Sequence, residues 1–142
     1  MIELRNVTKQ YGQSSVLNKI DLTVDEPGIY CLLGRNGAGK TTFLKSIAGY
    51  QNVTSGQIKV DRKTISTATL DTGVSYIENF AKHFNLPVGK LLRIASEVNA
   101  DFDHSFAMEM MERFELDRKK KFNQLSLGMK TMVSTIVCLA SN

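Results

Sequence analysis

One stretch constrains the fold more than any other. "LLGRNGAGKTTFLKS", residues 32–46, runs the end of an apolar segment into three glycines, a lysine and two threonines. Gly34, Gly39, Lys40 and Thr41 fit the spacing G-x-x-x-x-G-K-[ST], between an apolar run at 29–33 and a helical pattern. That order asks for a buried strand, a tight loop and a helix. Glycines at 34, 37 and 39 let the backbone bend so that successive N–H groups converge, with no Cβ in the way of an anion. A helix begun near Lys40 adds the positive end of its dipole. The Lys40 ammonium then reaches β- and γ-phosphates, the Thr41 hydroxyl can ligate Mg²⁺, and Thr42 is placed to donate to an α-phosphate. Four fixed positions of these types coincide by accident in well under about one in a hundred chains of this length. Phe43, Leu44, Ile47 and Ala48 make the inner face of the helix, and Gly49 is its stop. Nucleotide binding follows from the loop, but the class of nucleotide-binding protein does not.

Composition sets outer limits. The chain has 142 residues, 42% of them hydrophobic, which suits one globular domain or a large piece of one. No apolar stretch approaches the length of a membrane-spanning helix, and the charged start "MIELRNVTK" lacks the apolar segment of a secretory signal, so a cytosolic protein is expected. Cys31 and Cys138 lie far apart inside apolar runs and are expected as buried free thiols. The formal charge of +4 comes from 18 basic and 14 acidic residues. Much of the excess sits in Arg118, Lys119, Lys120 and Lys121. Without interleaved aromatics that run reads as a solvated turn, and no nucleic-acid partner is expected. His83 and His104 read as partly exposed structural residues, with no ligand cluster around them for a metal.

Two periodicities divide the chain. Ile2 with Leu4, Ile20 with Leu22 and Val24, Ile58 with Val60, and Val74 with Tyr76 alternate as strands do, while the unbroken run at 29–33 suits a central strand covered on both faces. "YGQSS", "DEPG", "TSG" and "DTG" mark the turns. From Phe80 the pattern is helical. Leu91, Leu92, Ala95 and Val98 outline one helix; Phe106, Ala107, Met110, Met111 and Phe114 form the face of another behind Asp103 as N-cap. A helical subdomain following a mixed or parallel sheet is the expected arrangement.

A second stretch, "LSLGMK" at 125–130, sets Ser126 as N-cap of a helix whose apolar face reads Met129, Met132, Val133, Ile136, Val137 and Ala140, with Gly128 baring backbone in its first turn. It is a second anion-favouring helix start. Two such starts can clasp one ligand together, or each can hold half of a ligand shared between two copies.

With these motifs in place, the sequence resembles the nucleotide-binding domain of ATP-binding cassette (ABC) transporters along its whole length. "GRNGAGKTT" is similar to that family's Walker A loop and "LSLGM" to its LSGGQ signature. The resemblance implies an α/β fold, a P-loop NTPase with an ABC-type β-subdomain and a helical subdomain, truncated. Its parts would be an ATP-binding core at 1–78 with an antiparallel β-subdomain, a helical subdomain at 79–125, and the signature helix at 126–142. It implies ATP and Mg²⁺ as ligands, with Asn36 and Ala38 joining Gly34, Gly37, Gly39, Lys40, Thr41 and Thr42 around the phosphates. Tyr11, in "KQYG", matches the aromatic position that stacks on adenine. Two domains would pair head to tail, so that Ser126 and Gly128 face the γ-phosphate held at the other copy's Lys40. A transmembrane permease subunit would be the further partner, placing the protein at the inner face of the cell membrane.

There are departures from the family pattern. Leu127 stands where the signature has its first glycine, and Met129 replaces its glutamine. Where the family has a glutamine that senses Mg²⁺, this chain has Glu78 and Asn79; Asn79 would do the work with a shorter reach, as a second metal ligand beside Thr41, or Glu78 would do it by charge, and the sequence does not choose between them. The family's Asp-Glu pair, which anchors Mg²⁺ and polarises water, would follow the signature helix, so no catalytic residue is expected in these 142 residues. The expectation is a chain that binds ATP weakly, hydrolyses it negligibly and self-associates through an uncovered sheet edge. Other readings are a nucleotide-binding interaction module that never hydrolyses, and a soluble ABC ATPase acting on a ribosome or DNA.

Overall fold

The computed structural model describes residues 1–69, 73–77 and 85–141, and divides into two compact units, Met1–Tyr76 and Ile77–Asn142. In the first unit, β1 (Ile2–Tyr11), β2 (Ser14–Val24), β3 (Ser55–Val60) and β4 (Lys63–Thr64) form a four-stranded sheet in the order β2-β1-β3-β4. Every neighbouring pair is antiparallel. The helix α1 (Lys40–Ile47) contributes Ile47 and Phe43 to the core with Leu4, Val7, Leu17, Ile58, Val60 and Ile65.

Simple alternation fails in β1 for a local reason. Leu4 and Val7 are both buried although three positions apart, because Asn6 takes a left-handed conformation (φ 49°) and the register with β2 shifts between them. The Asn6 N–H, displaced from the ladder, donates to Asp21 Oδ1 at 2.7 Å, and Lys19 (φ 46°) on β2 donates its N–H to Thr8 Oγ1 at 3.1 Å. Opposite this bulge the chain runs so close that a Cβ on Gly56 would overlap the Asn6 and Arg5 carbonyl oxygens, and Gly56 itself sits at φ +86°. Of the "TSG" expected as a turn, Ser55 and Gly56 are therefore the start of β3, where the glycine admits a neighbouring backbone. The β3–β4 hairpin turns through Asp61 (φ 45°) and Arg62 (φ 69°). The Met1 ammonium donates to Asp61 Oδ1 at 2.6 Å, and that bond holds the Asp61 carboxyl below the usual range.

The expected central strand at 29–33 does not form. Ile29 is 105% and Leu33 83% exposed, and among the described residues no strand pairs with this segment, so the expected mixed or parallel sheet is replaced by a wholly antiparallel one. An apolar run supplies the wish to be buried, but a strand also needs a ladder partner on its edge. Val74 and Tyr76 likewise lie outside any strand. Val74 packs on the first core and the Tyr76 ring tilts against Tyr50, centroids 5.6 Å apart. Cys31, expected buried, is exposed with its segment, and Cys138 is only partly covered.

The second unit holds α2 (Val88–Val98), α3 (His104–Arg113), a short 3₁₀ turn (Phe122–Gln124) and α4 (Leu127–Ala140). Val88, Leu92, Ala107, Met111, Leu116, Phe122, Val133 and Ile136 share one core. Asp103 caps α3, its Oδ1 accepting from the Phe106 N–H at 2.8 Å. The Asp103 N–H in turn donates to the Ala140 carbonyl at 2.7 Å, tying α3 to the end of α4. Helix α2 starts at Pro87 without a side-chain cap. Its Val88 and Gly89 N–H groups donate instead to the Lys120 and Arg118 carbonyls, at 3.0 and 2.9 Å. The basic run is thus a cap made of main chain. Four residues assigned to buried faces stand at the rims instead: Val98 (83% exposed), Phe114 (47%), Met132 (43%) and, in α1, Leu44 (43%). Each lies where its helix face turns toward solvent.

Candidate phosphate-binding site

Gly39 is the N-cap of α1, at φ 89° and ψ 6°, and offers no side-chain cap. The first intrahelical bond is Phe43 N–H to the Gly39 carbonyl, 2.8 Å, so helix geometry leaves the N–H groups of Gly39, Lys40, Thr41 and Thr42 without an intrahelical acceptor. They crowd the positive end of the helix dipole, an arrangement that attracts an anion. A cleft of about 390 Å³ opens over them, lined by Val16, Asn36, Gly37, Gly39, Lys40, Thr41 and Thr42. Gly39 is forced by two conditions at once: its left-handed backbone, and the β2 strand behind it, where an added Cβ would stand 2.8 Å from the Val16 oxygen and 2.9 Å from Val16 Cγ1.

The Lys40 ammonium folds back into the loop and donates to the Gly34 and Arg35 carbonyls, at 2.7 and 2.8 Å. These bonds brace the loop from within and keep a positive charge at its mouth. Of the loop residues expected from the sequence, Asn36, Gly37, Gly39, Lys40, Thr41 and Thr42 line the cleft, while Gly34 and Ala38 do not; Gly34 lends its carbonyl to Lys40, and the Ala38 N–H donates to the Arg35 carbonyl at 3.2 Å. Thr41 is exposed on the first turn and lines the cleft. One hydroxyl suits Mg²⁺, which is held mainly by phosphate oxygens and water, and no group of three His, Cys, Asp or Glu suited to caging a metal occurs among the described residues. The expected second ligand, Asn79, its neighbour Glu78, and His83 lie outside the described residues.

Tyr11, at the end of β1, is half exposed. Its hydroxyl donates to Gln51 Oε1 at 2.8 Å, and Gln51 Nε2 donates to the Thr42 carbonyl at 2.8 Å and to Ser46 Oγ at 3.2 Å. Neither Gln51 nor Val16 was legible as a site residue. Val16 is one more apolar strand residue in the sequence, and Gln51 follows the helix stop with no motif around it. In the second unit, Ser126 Oγ accepts from the Met129 N–H at 3.3 Å, which caps α4 as expected. Apart from its chain neighbours and the backbone of its own helix, no described heavy atom lies within 4 Å of where a Gly128 Cβ would stand, and Leu127 is 65% exposed. His104 is exposed at the start of α3, beside the Phe102 ring.

A glycine-bent loop that feeds an uncapped helix start, with a lysine folded across it, defines a P-loop nucleotide-binding protein. A family model described as "ABC transporter" matches residues 17–142, and the chain belongs to that family. It is 33% identical over 143 residues to the ABC transporter ATP-binding protein YtrB of Bacillus subtilis, covering 99% of this chain and 49% of that protein. It is 37% identical over 136 residues to the bacitracin transport ATP-binding protein BcrA of Enterococcus faecalis, covering 92% and 44%. The chain therefore spans about half the length of these curated relatives. Among solved structures, a dimeric bacterial ABC transporter cassette matches with a TM-score of 0.80 at 24% identity, over 100% of this chain and 70% of that one. The fold is that of the ABC-type P-loop ATPases. No described helix is long and apolar enough to cross a membrane.

Proposed function

We propose that this chain is the nucleotide-gripping part of an ABC transporter ATPase, and that it holds Mg-ATP by the loop from Gly34 to Thr42. The observation that carries the reading is the uncapped start of α1, with Lys40 and the cleft above it. The backbone N–H groups at 39–42 would take the β- and γ-phosphate oxygens, with the Lys40 ammonium exchanging its two carbonyl partners for phosphate. Thr41 would supply one oxygen to Mg²⁺, and the metal would add charge neutralisation at the phosphates. Tyr11 would stack on the adenine. The relatives named as ATP-binding proteins support ATP as the ligand.

Phosphoryl transfer to water also needs a positioned base, and no carboxylate lines the cleft among the described residues. Binding without appreciable turnover is therefore the activity proposed for these 142 residues. In the whole protein, Ser126 and Gly128 of one copy would close on the γ-phosphate at the other copy's Lys40, and the paired domains would drive a membrane permease from its cytoplasmic side. Gly128, open to solvent at the first turn of α4, is suited to such an approach.

Isothermal titration calorimetry with Mg-ATP tests the loop. Lys40→Ala is expected to weaken binding by at least about tenfold, the share of one charge-assisted phosphate contact. Circular dichroism should show an unchanged fold. Equal affinity for the two proteins would overturn the proposal.

A further inference from the structure

The Tyr11 ring is fixed at two points by side chains from outside its own ladder pairing. At its hydroxyl end Gln51 acts as a bridge, and the polarity of that bridge is set by its partners. The Thr42 carbonyl can only accept, so the Gln51 amide nitrogen must face it, which leaves Oε1 to receive the Tyr11 hydroxyl. On the ring itself, Lys9 Nζ lies 5.0 Å from the centroid, and that ammonium is anchored by a 2.6 Å bond to the Asn52 carbonyl. One face of Tyr11 is thus occupied by a tethered cation while the side chain stays half exposed. The same Thr42 that receives Gln51 lines the phosphate cleft.

We propose that Gln51 and Lys9 are base-positioning residues: they hold the Tyr11 ring so that its remaining face presents a fixed platform to the heteroaromatic base of a nucleotide whose phosphates occupy the α1 loop. The inference rests on the nucleotide reading given above. A free tyrosine at a strand end loses rotamer freedom when a base stacks on it. A tyrosine already held at its hydroxyl and on one face has lost it beforehand, so more of the stacking appears as affinity. A cation on the far face also draws density from the ring and suits it to an electron-rich purine. Because the Gln51 bridge ends on the backbone of α1, the distance from base platform to phosphate loop is set by one side chain.

The discriminating measurement compares two ligands, Mg-ATP and Mg-tripolyphosphate, which has the phosphates but no base. Stacking on an aromatic is worth about fivefold to a hundredfold in binding, so Tyr11→Ala should weaken ATP by that much and leave tripolyphosphate unchanged. Gln51→Ala and Lys9→Met should each weaken ATP about threefold to tenfold, again sparing tripolyphosphate. In a Tyr11→Phe background Gln51→Ala should have no further effect on ATP, since the bond it breaks is already gone. Unchanged ATP binding by Gln51→Ala and Lys9→Met overturns the inference. So does an equal loss for both ligands, which would make Gln51 a brace of α1 alone, or additivity with Tyr11→Phe. Tyr11→Phe and Lys9→Met keep their side-chain bulk and carry the test should Gln51→Ala misfold. Failure of the wild-type chain to bind either ligand would instead remove the nucleotide reading itself.

Discussion

Val16 stands behind Gly39 as a wall, and the pair shows how a single position can be overdetermined. An alanine at 39 must adopt a left-handed backbone, at a cost of about 1–2 kcal/mol, and must also displace the Val16 carbonyl, which belongs to a strand and cannot swing aside. Gly39→Ala is expected to lower unfolding free energy by about 2 kcal/mol or more in urea titrations, as well as weakening nucleotide binding. A variant of wild-type stability would show that β2 yields there. At this scale the sequence speaks clearly where chemistry demands fixed residue types at fixed spacing. Lys40, Thr41 and the loop glycines are readable for that reason. Val16 and Gln51 reach the same cleft from elsewhere in the chain, through contacts that no local spacing records.

Between elements, the β3–β4 hairpin carries a visible strain. Both its central residues have positive φ, as two-residue hairpin turns of the primed type require, yet the second is Arg62. Arg62→Gly should stabilise the chain by about 0.5–1 kcal/mol, the left-handed penalty less the extra freedom glycine has when unfolded. A rise of the thermal midpoint by a few degrees would register it, and a fall would mean that the arginine side chain has an unseen duty. The helices of the second unit were readable from their apolar spacing and from caps such as Asp103 and Ser126, because helix signals are local. Strands proved harder. The left-handed residue at Asn6 shifts the phase of β1, and the run at 29–33 has the composition of a buried strand without a partner among the described residues.

At the scale of the whole molecule, that same run leaves apolar surface uncovered: Ile29, Tyr30, Leu32 and Leu33 are all exposed within five residues. Backbone donors and acceptors of this run have no strand partner among the described residues, and such groups beside apolar side chains invite a second copy to pair with them. Light scattering is expected to report masses above the monomer that rise with concentration, and lysine at both Ile29 and Leu33 should return the chain to a monomer. A clean monomer at high concentration without those changes would count against self-association. The helical unit differs in that eleven buried apolar residues among those described share one core and its ends are stitched by main-chain bonds, although Val98, Leu127 and Leu139 remain exposed on its surface.

Those stitches have a consequence for tolerance to change. The carbonyls of Arg118 and Lys120 that receive the start of α2 are atoms every amino acid possesses. Side-chain identity at 119–121 is therefore free to drift, while the spacing of that segment is not; Arg118 also donates from its guanidinium to Met108 Sδ at 3.3 Å. Replacing Lys119, Lys120 and Lys121 with alanine should leave the melting curve nearly in place, whereas deleting a single residue there should unseat α2.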